Sequence, residues 1–529
     1  VSEVLVVGSG PGGVHAAAAL VGAGRRVIML DYGNRDEHYA ALVPERPFSE
    51  IRRGDPQQHR YFLGERYEGI PLGPVRVGAQ LTPPRMYVLA DARERIPIEA
   101  RDFALSISLA RGGLGAAWSA GVFPFTDDEL AAMGLGLQEL QPHYDTVAER
   151  VGVCGLADDL APFFPASPSM MPPLDLDTSA TLILARYEAR RAALQRRGFV
   201  LGRARLAVCT RAHRGRGPYG YEDMEYWADF RRAVYRAQWT LDELVGTPGF
   251  SYVSRRLVQR FRETADGVEV EALCVDSGTT ERYRAAALVL AAGTVASAWI
   301  VLRSLGCFDQ PVPMLCNAYA YVPTLSPRML LRRAADRRAS LAQLTALLRL
   351  PRGGLLQAQV FSYRSLLTFK LMKELPLALR DSRRLLQVLM PAFAILGIHH
   401  EDRPAPGKHC LLRRGEPDRL LVEYEPAPSE LRVQRSNERR LLACFRRLGV
   451  LPLKTIRPGH GSSIHYAGTF PITPEDRPLT CDRDGRLRGT QAVYLADGSV
   501  FPWLPPKGLT FNIMANADRV GTLLARRLG

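Results

Sequence analysis

The first thirty residues alternate between wholly apolar runs and glycine turns. Val4 to Val7 is a short apolar run bounded by glycine, the pattern of a strand covered on both faces. Val14 to Val21 is alanine-rich, has high helix propensity and stops near Gly22 and Gly24. Val27 to Leu30 is apolar again and ends on an acid, Asp31. The pattern predicts a βαβ opening. From about 35 to 110 periodicity is lost among Arg, Pro and Tyr, which predicts a lid or cofactor cover inserted into a larger domain. Residues 180–200 read helical. Segments 250–262, 267–276 and 282–291 alternate apolar and polar positions around an Asp266-Gly267 turn, as in a small β-meander. A buried strand follows at Ala287 to Leu290, then Ala291-Ala292-Gly293-Thr294 and a helix. Composition shifts at about 311. Strand patterning returns near 411, a helix spans 429–447, and the last seventy residues revert to strand, turn and helix.

The glycine turn carries the first chemistry. Gly8-x-Gly10-x-x-Gly13 directly follows a strand and opens a helix. Gly8 permits the tight turn, Gly10 lets backbone approach a pyrophosphate, and Gly13 lets helix pack on strand. Phosphates would then lie at the helix N-terminus, where free N–H groups and the dipole favour negative charge. Asp31, eighteen residues past Gly13, is placed to accept ribose hydroxyls. Ser9, Pro11 and Tyr32 flank these positions. The motif alone does not separate FAD from NAD.

Further motifs occur in a telling order. Arg111-Gly112-Gly113-Leu114-Gly115-Ala116-Ala117-Trp118 is glycine-rich; His465-Tyr466-Ala467-Gly468-Thr469 has the form HxxGT; Ala496-Asp497-Gly498-Ser499 precedes Ile513-Met514-Ala515 in a predicted final helix. Together with the N-terminal fingerprint these resemble the glucose–methanol–choline (GMC) family of FAD-dependent oxidoreductases, nearer its pyranose oxidase and gluconate or fructose dehydrogenase branch. The resemblance covers both ends and the middle of the chain; 35–110 and 311–410 match little beyond position.

The resemblance implies an α/β fold: a Rossmann-like FAD-binding domain with a parallel sheet and β-meander, plus an α+β substrate domain. It implies residues 1–310 as FAD domain with the 35–110 insertion, 311–454 as substrate domain, and 455–529 returning to close the FAD domain. FAD contacts are implied at Gly113, Gly115, Ala117, Trp118, Val258, Ala292, Gly293, Asp497, Gly498, Gly508 and Leu509. Where the pyranose oxidase branch often carries a flavin-linked histidine this chain has Ala117, so FAD is expected to be non-covalent. His465 falls at the family's base position. A second His or Asn is expected eleven residues after Asp497, and there the chain has Gly508. Lys507 and Asn512 are the neighbours able to supply a polar group instead.

Oxidising an alcohol on flavin requires removing the hydroxyl proton while hydride passes from carbon to flavin N5. Histidine suits the first task because its unperturbed pKa lies near neutrality. The leading expectation is oxidation of a secondary alcohol, sugar-like and free or carrier-linked, to a ketone. The alternative is a lyase or isomerase on the same fold, which the glycine at 508 favours. His460 reads as strand or loop. His399-His400 reads as a loop rather than a metal site, since adjacent side chains on extended backbone point oppositely; no metal is expected.

Charge changes the picture only locally. Of 529 residues, 69 are Lys or Arg against 54 Asp or Glu, a net +15, yet no nucleic-acid-reading motif accompanies it. Residues 326–384 hold 13 basic and 3 acidic residues interleaved with Leu, Met and Phe. Two readings stay open there: a surface for peripheral membrane contact, or helices with arginines in water and leucines in the core. The eight cysteines form no CxxC and read as reduced thiols. With an apolar strand at the start and no bilayer-length apolar run, the expectation is a cytoplasmic protein, at most peripheral to a membrane.

Overall fold

The computed structural model describes residues 3–70, 82–165, 167–222, 229–332, 341–351, 353–362, 372 and 375–529. At its centre five parallel strands lie in the order β20-β9-β1-β2-β5 (Val493–Leu495, Ala287–Leu290, Glu3–Val7, Arg26–Leu30, Phe250–Val253). Every residue of β9 and all but the first of β1 is buried, as continuous apolar runs require in a sheet covered on both faces. Helix α1 (Pro11–Gly22) connects β1 to β2. The chain's end comes back to this sheet. β20 pairs with β9, and the last helix, Thr510–Arg527, packs along α1, with Gly521 letting it approach the backbone of Ala16. The segment 250–262 divides into β5 in the parallel sheet and β6 (Arg256–Thr264), which forms an antiparallel meander with β7 (Gly267–Cys274) and β8 (Thr280–Ala285).

A second sheet has six strands in the order β18-β12-β15-β14-β13-β4 (Leu451–Pro452, Tyr319–Leu325, Phe393–His399, Leu355–Ser362, Ala342–Arg349, Phe199–Arg203). Its strands alternate in what they face. Ala320, Val322, Leu356, Ala358, Val360, Leu396 and Ile398 share an apolar core with residues of helices Thr178–Glu188 and Pro428–Arg447. Tyr319, Tyr321, Gln359, Phe361, Ile395 and His399 face the other way, onto a cavity. A four-stranded sheet, β10-β16-β17-β3 (Val312–Pro313, Lys408–Arg413, Arg419–Tyr424, Ile98–Arg101), and the short pair β11-β19 (Leu315–Cys316, Tyr466–Ala467) join the two halves.

The sheets do not follow the division expected at residue 310. β4, from the N-terminal part, pairs antiparallel with β13 in the six-stranded sheet, and the helix Thr178–Glu188 packs on that sheet too. β3 likewise ties the 35–110 insertion to β17. In the basic stretch 326–384, residues 333–340, 352, 363–371, 373 and 374 lie outside the described residues. β13 and β14 within it are largely buried strands rather than helices. Among the described residues no helix is long and apolar enough to cross a membrane.

Candidate active site

A cavity of about 480 Å³ runs from the carboxyl ends of β1 and β2, past the turn after β9, to the face of the six-stranded sheet. At one end Gly8 holds φ +96°, a conformation that side chains resist, and a Cβ there would come 2.6 Å from the Ala291 carbonyl oxygen. Gly10 differs. Its φ is ordinary and nothing lies within 4 Å of where its Cβ would stand, so the missing side chain is open cavity. Gly13 does not line the cavity: it lies under Gly8, where a Cβ would overlap the Gly8 carbonyl. Its expected place among cofactor contacts is therefore corrected to a packing role.

Asp31 is buried at the end of β2. It accepts 2.5 Å and 2.8 Å hydrogen bonds from Ser9 Oγ and Tyr252 Oη, and burial pushes its carboxyl up to about 6. Ser9 Oγ also accepts the Gly112 N–H at 2.9 Å, which ties the glycine-rich segment 111–118 to the fingerprint turn. Trp118 is fixed by its indole N–H on the Tyr235 carbonyl at 2.7 Å and lines the cavity with Gly113, Gly115 and Ala117. Pro11, Tyr32, Val258, Ala292, Gly293, Gly498, Gly508 and Leu509 line it as well.

Asp497 lines the cavity too, with its carboxylate oxygens engaged inside the protein. Its two oxygens accept from Gly293 N–H and Ser297 Oγ on one side and Ser499 N–H and Oγ on the other, at 2.5–2.9 Å. It clasps the returning C-terminal segment to the turn after β9. Burial again pushes its carboxyl up, opposed by these donors.

At the far end His465 lines the cavity. Its Nδ1 lies 3.1 Å from Asn317 Oδ1. The Asn317 amide donates to the carbonyls of His400 (2.7 Å) and Pro505 (3.0 Å), so the atom it turns to His465 is its oxygen. His465 therefore carries its proton on Nδ1, and the lone pair is on Nε2. Burial holds the imidazole down to about 4, leaving it neutral and able to accept a proton near neutrality.

Neither Lys507 nor Asn512 reaches the cavity. Lys507 is fully buried and points away from it, donating to Glu129 Oε2 (2.5 Å) and to the carbonyls of Phe163 (2.8 Å) and Pro124 (3.2 Å). Asn512 is consumed by backbone and Tyr144: its Oδ1 accepts from Phe125 N–H and Tyr144 Oη, and its Nδ2 donates to the Phe123 carbonyl. Both expected catalytic roles are corrected to structural ones, because burial forced each to find partners inside the protein. His399 corrects the reading of 399–400 as a loop. It is the last residue of β15 and faces the cavity, its ring stacked 5.0 Å from that of His465 at 26°. His400 points the other way, to Glu438 at 3.2 Å. Asn317, Tyr252 and His399 are the site residues that the sequence reading missed, since none sits in a spaced motif.

The cavity thus begins on a strand–glycine–helix turn, the arrangement that cradles phosphates in dinucleotide-binding folds, and ends on a neutral, oriented histidine. Residues 448–517 match the family model of the GMC oxidoreductases. The chain is 24% identical over 439 residues to paromamine 6'-oxidase of Streptomyces fradiae, covering 78% of this chain and 76% of that protein. Its fold resembles pyridoxine 4-oxidase from Mesorbium loti, with a TM-score of 0.57 at 15% identity over 100% of this chain and 99% of that one. Over 448–517, then, the chain is similar to the GMC oxidoreductases, a family that generally binds FAD, and the two whole proteins it resembles are oxidases.

Proposed function

We propose that this protein is an FAD-dependent oxidoreductase that converts a secondary hydroxyl of a sugar-like substrate to a ketone. The observation that carries the reading is the orientation of His465, whose Nε2 is left for the cavity by the Nδ1 bond to Asn317. The sugar-like character is supported by the tyrosines, Gln359 and His399 on the cavity wall, which offer hydrogen bonds to several hydroxyls. It is also supported by the name of the S. fradiae relative.

The residues present fit FAD. Gly10 and Gly293 both line the cavity with open space where a Cβ would stand, a cradle that a bulkier residue would fill. Gly8, Ser9 and the start of α1 would hold the pyrophosphate, Asp31 the ribose, and Val258 the adenine through its backbone. The start of the last helix, at Leu509 and Thr510, would face the ring with its positive dipole end. With alanine at 117 the cofactor is held without a covalent bond. FAD, when bound, supplies the acceptor for the hydride leaving the alcohol carbon. His465 Nε2 takes the hydroxyl proton, so one proton and one hydride leave the substrate and a carbonyl remains.

The test is anaerobic mixing of the holoprotein with paromamine and a panel of hexoses, followed by the flavin absorbance. Bleaching with release of a ketone supports the reading. Bleaching that yields only an aldehyde shifts it to primary alcohols, and no bleaching by any of them overturns it. Acid precipitation should leave the flavin in the supernatant; yellow colour retained in the pellet contradicts non-covalent binding.

A further inference from the structure

We infer that His399 is the second hydrogen-bonding group of the reaction site, donating from its ring to the substrate's hydroxyl oxygen while His465 takes that hydroxyl's proton. The inference rests on the function proposed above and supplies the second polar group that position 508 does not carry.

Besides His465, three histidines are buried among the described residues. His15 is paired with Tyr235 Oη at 3.0 Å and with Arg150, and His400 with Glu438. His399 has no such partner: its Nδ1 is sealed from solvent and unpaired among the described residues. A buried polar atom without a partner is costly, and with Nδ1 sealed the ring nitrogen left to meet a substrate is Nε2. Its ring instead forms part of the cavity wall.

The sheet explains how it comes to be there. Period-2 alternation on β15 puts Ile395, Gly397 and His399 on one face. A Cβ at Gly397 would come 3.1 Å from Tyr319 Oη and 3.3 Å from the Phe361 ring, so glycine lets these two rings settle against that face beside His399. The His399 ring is 4.8 Å from Tyr319 and 5.0 Å from His465. Two imidazoles this close can both reach one oxygen at their edges, because each hydrogen bond spans about 3 Å. His399 keeps its proton throughout. The hydroxyl proton goes to His465 and the electron pair leaves with the hydride, so His399 neither gains nor loses charge.

The experiment titrates the oxidised holoprotein with 2,2,2-trifluoroethanol, an alcohol whose fluorines oppose hydride loss, and follows the shift of the flavin spectrum. It reads hydroxyl binding without turnover and separates this inference from failure of the proposed activity. His399→Leu should weaken trifluoroethanol binding about tenfold or more at unchanged flavin content, and His399→Asn, which keeps a donor, should stay within about threefold. Equal binding by the unmodified protein and His399→Leu overturns the inference. So does a spectrum that trifluoroethanol leaves unmoved in the unmodified protein, or equal loss in both variants accompanied by lost flavin.

Discussion

Asn317 Oδ1 accepts a 3.1 Å hydrogen bond from His465 Nδ1, and the amide of Asn317 is itself pinned by the carbonyls of His400 and Pro505. This relationship fixes which nitrogen of His465 is basic. Asn317→Ala frees the ring to rotate and change tautomer, so flavin reduction by substrate should slow about 10–100-fold, the usual cost of losing an orienting partner. His465→Ala removes the base and should cost about 10²–10⁴-fold. Stopped-flow reduction of both variants checks the order. Equal rates for Asn317→Ala and the unmodified protein would show that packing alone orients His465.

The pH profile follows from the same histidine. Burial lowers the His465 pKa to about 4, so the base is neutral from that pH upward. The acid limb of kcat/KM should therefore lie near pH 4 rather than near 6.5, and activity should be level from about 5 to 7. Asn317→Asp would set a carboxylate against Nδ1, favour the imidazolium and move the limb upward. An unmodified protein whose activity halves near pH 6.5 would place the titrating base elsewhere.

Lys507 gives a prediction about stability instead of catalysis. Its ammonium is fully buried against Glu129, and removing it leaves that carboxylate without a charge partner. Lys507→Met should destabilise the fold by about 3–5 kcal/mol, and adding Glu129→Gln should recover part of that loss. Denaturant unfolding reads both. In whatever folds, flavin reduction should be close to that of the unmodified protein, since Lys507 lies off the cavity.

What was legible in sequence was local. The turn at Gly8 to Gly13, Asp31 at its spacing and the returning segment around Asp497 each carry their geometry in a few adjacent residues. What was not legible depends on distant partners. Asn317 meets His465 across 148 residues, and Lys507 meets Glu129 across 378. β15 is so apolar on both faces that Ala394 to Ile398 shows no alternation, which hid the orientation of His399. β4 reads like any buried strand; only its ladder to β13 decides which sheet it joins.

Gly508 is where the chain departs from the paired polar groups of the resemblance, and the space around it decides what a restored side chain would do. A Cβ there would stand 3.0 Å from Phe123 Cδ2 and 3.4 Å from Cε2. Phe123 is buried against Phe164, with ring centroids 5.3 Å apart, so it has little freedom to withdraw. An asparagine at 508 must therefore extend into the cavity, where Gly508 now leaves width for substrate. Gly508→Asn should retain FAD but slow flavin reduction by the native substrate about tenfold or more, with the loss mainly in substrate affinity, because crowding acts on binding. Smaller alcohols should lose less. Faster flavin reduction in Gly508→Asn would mean that the site lacks a second polar group after all, and that the width at 508 serves no substrate.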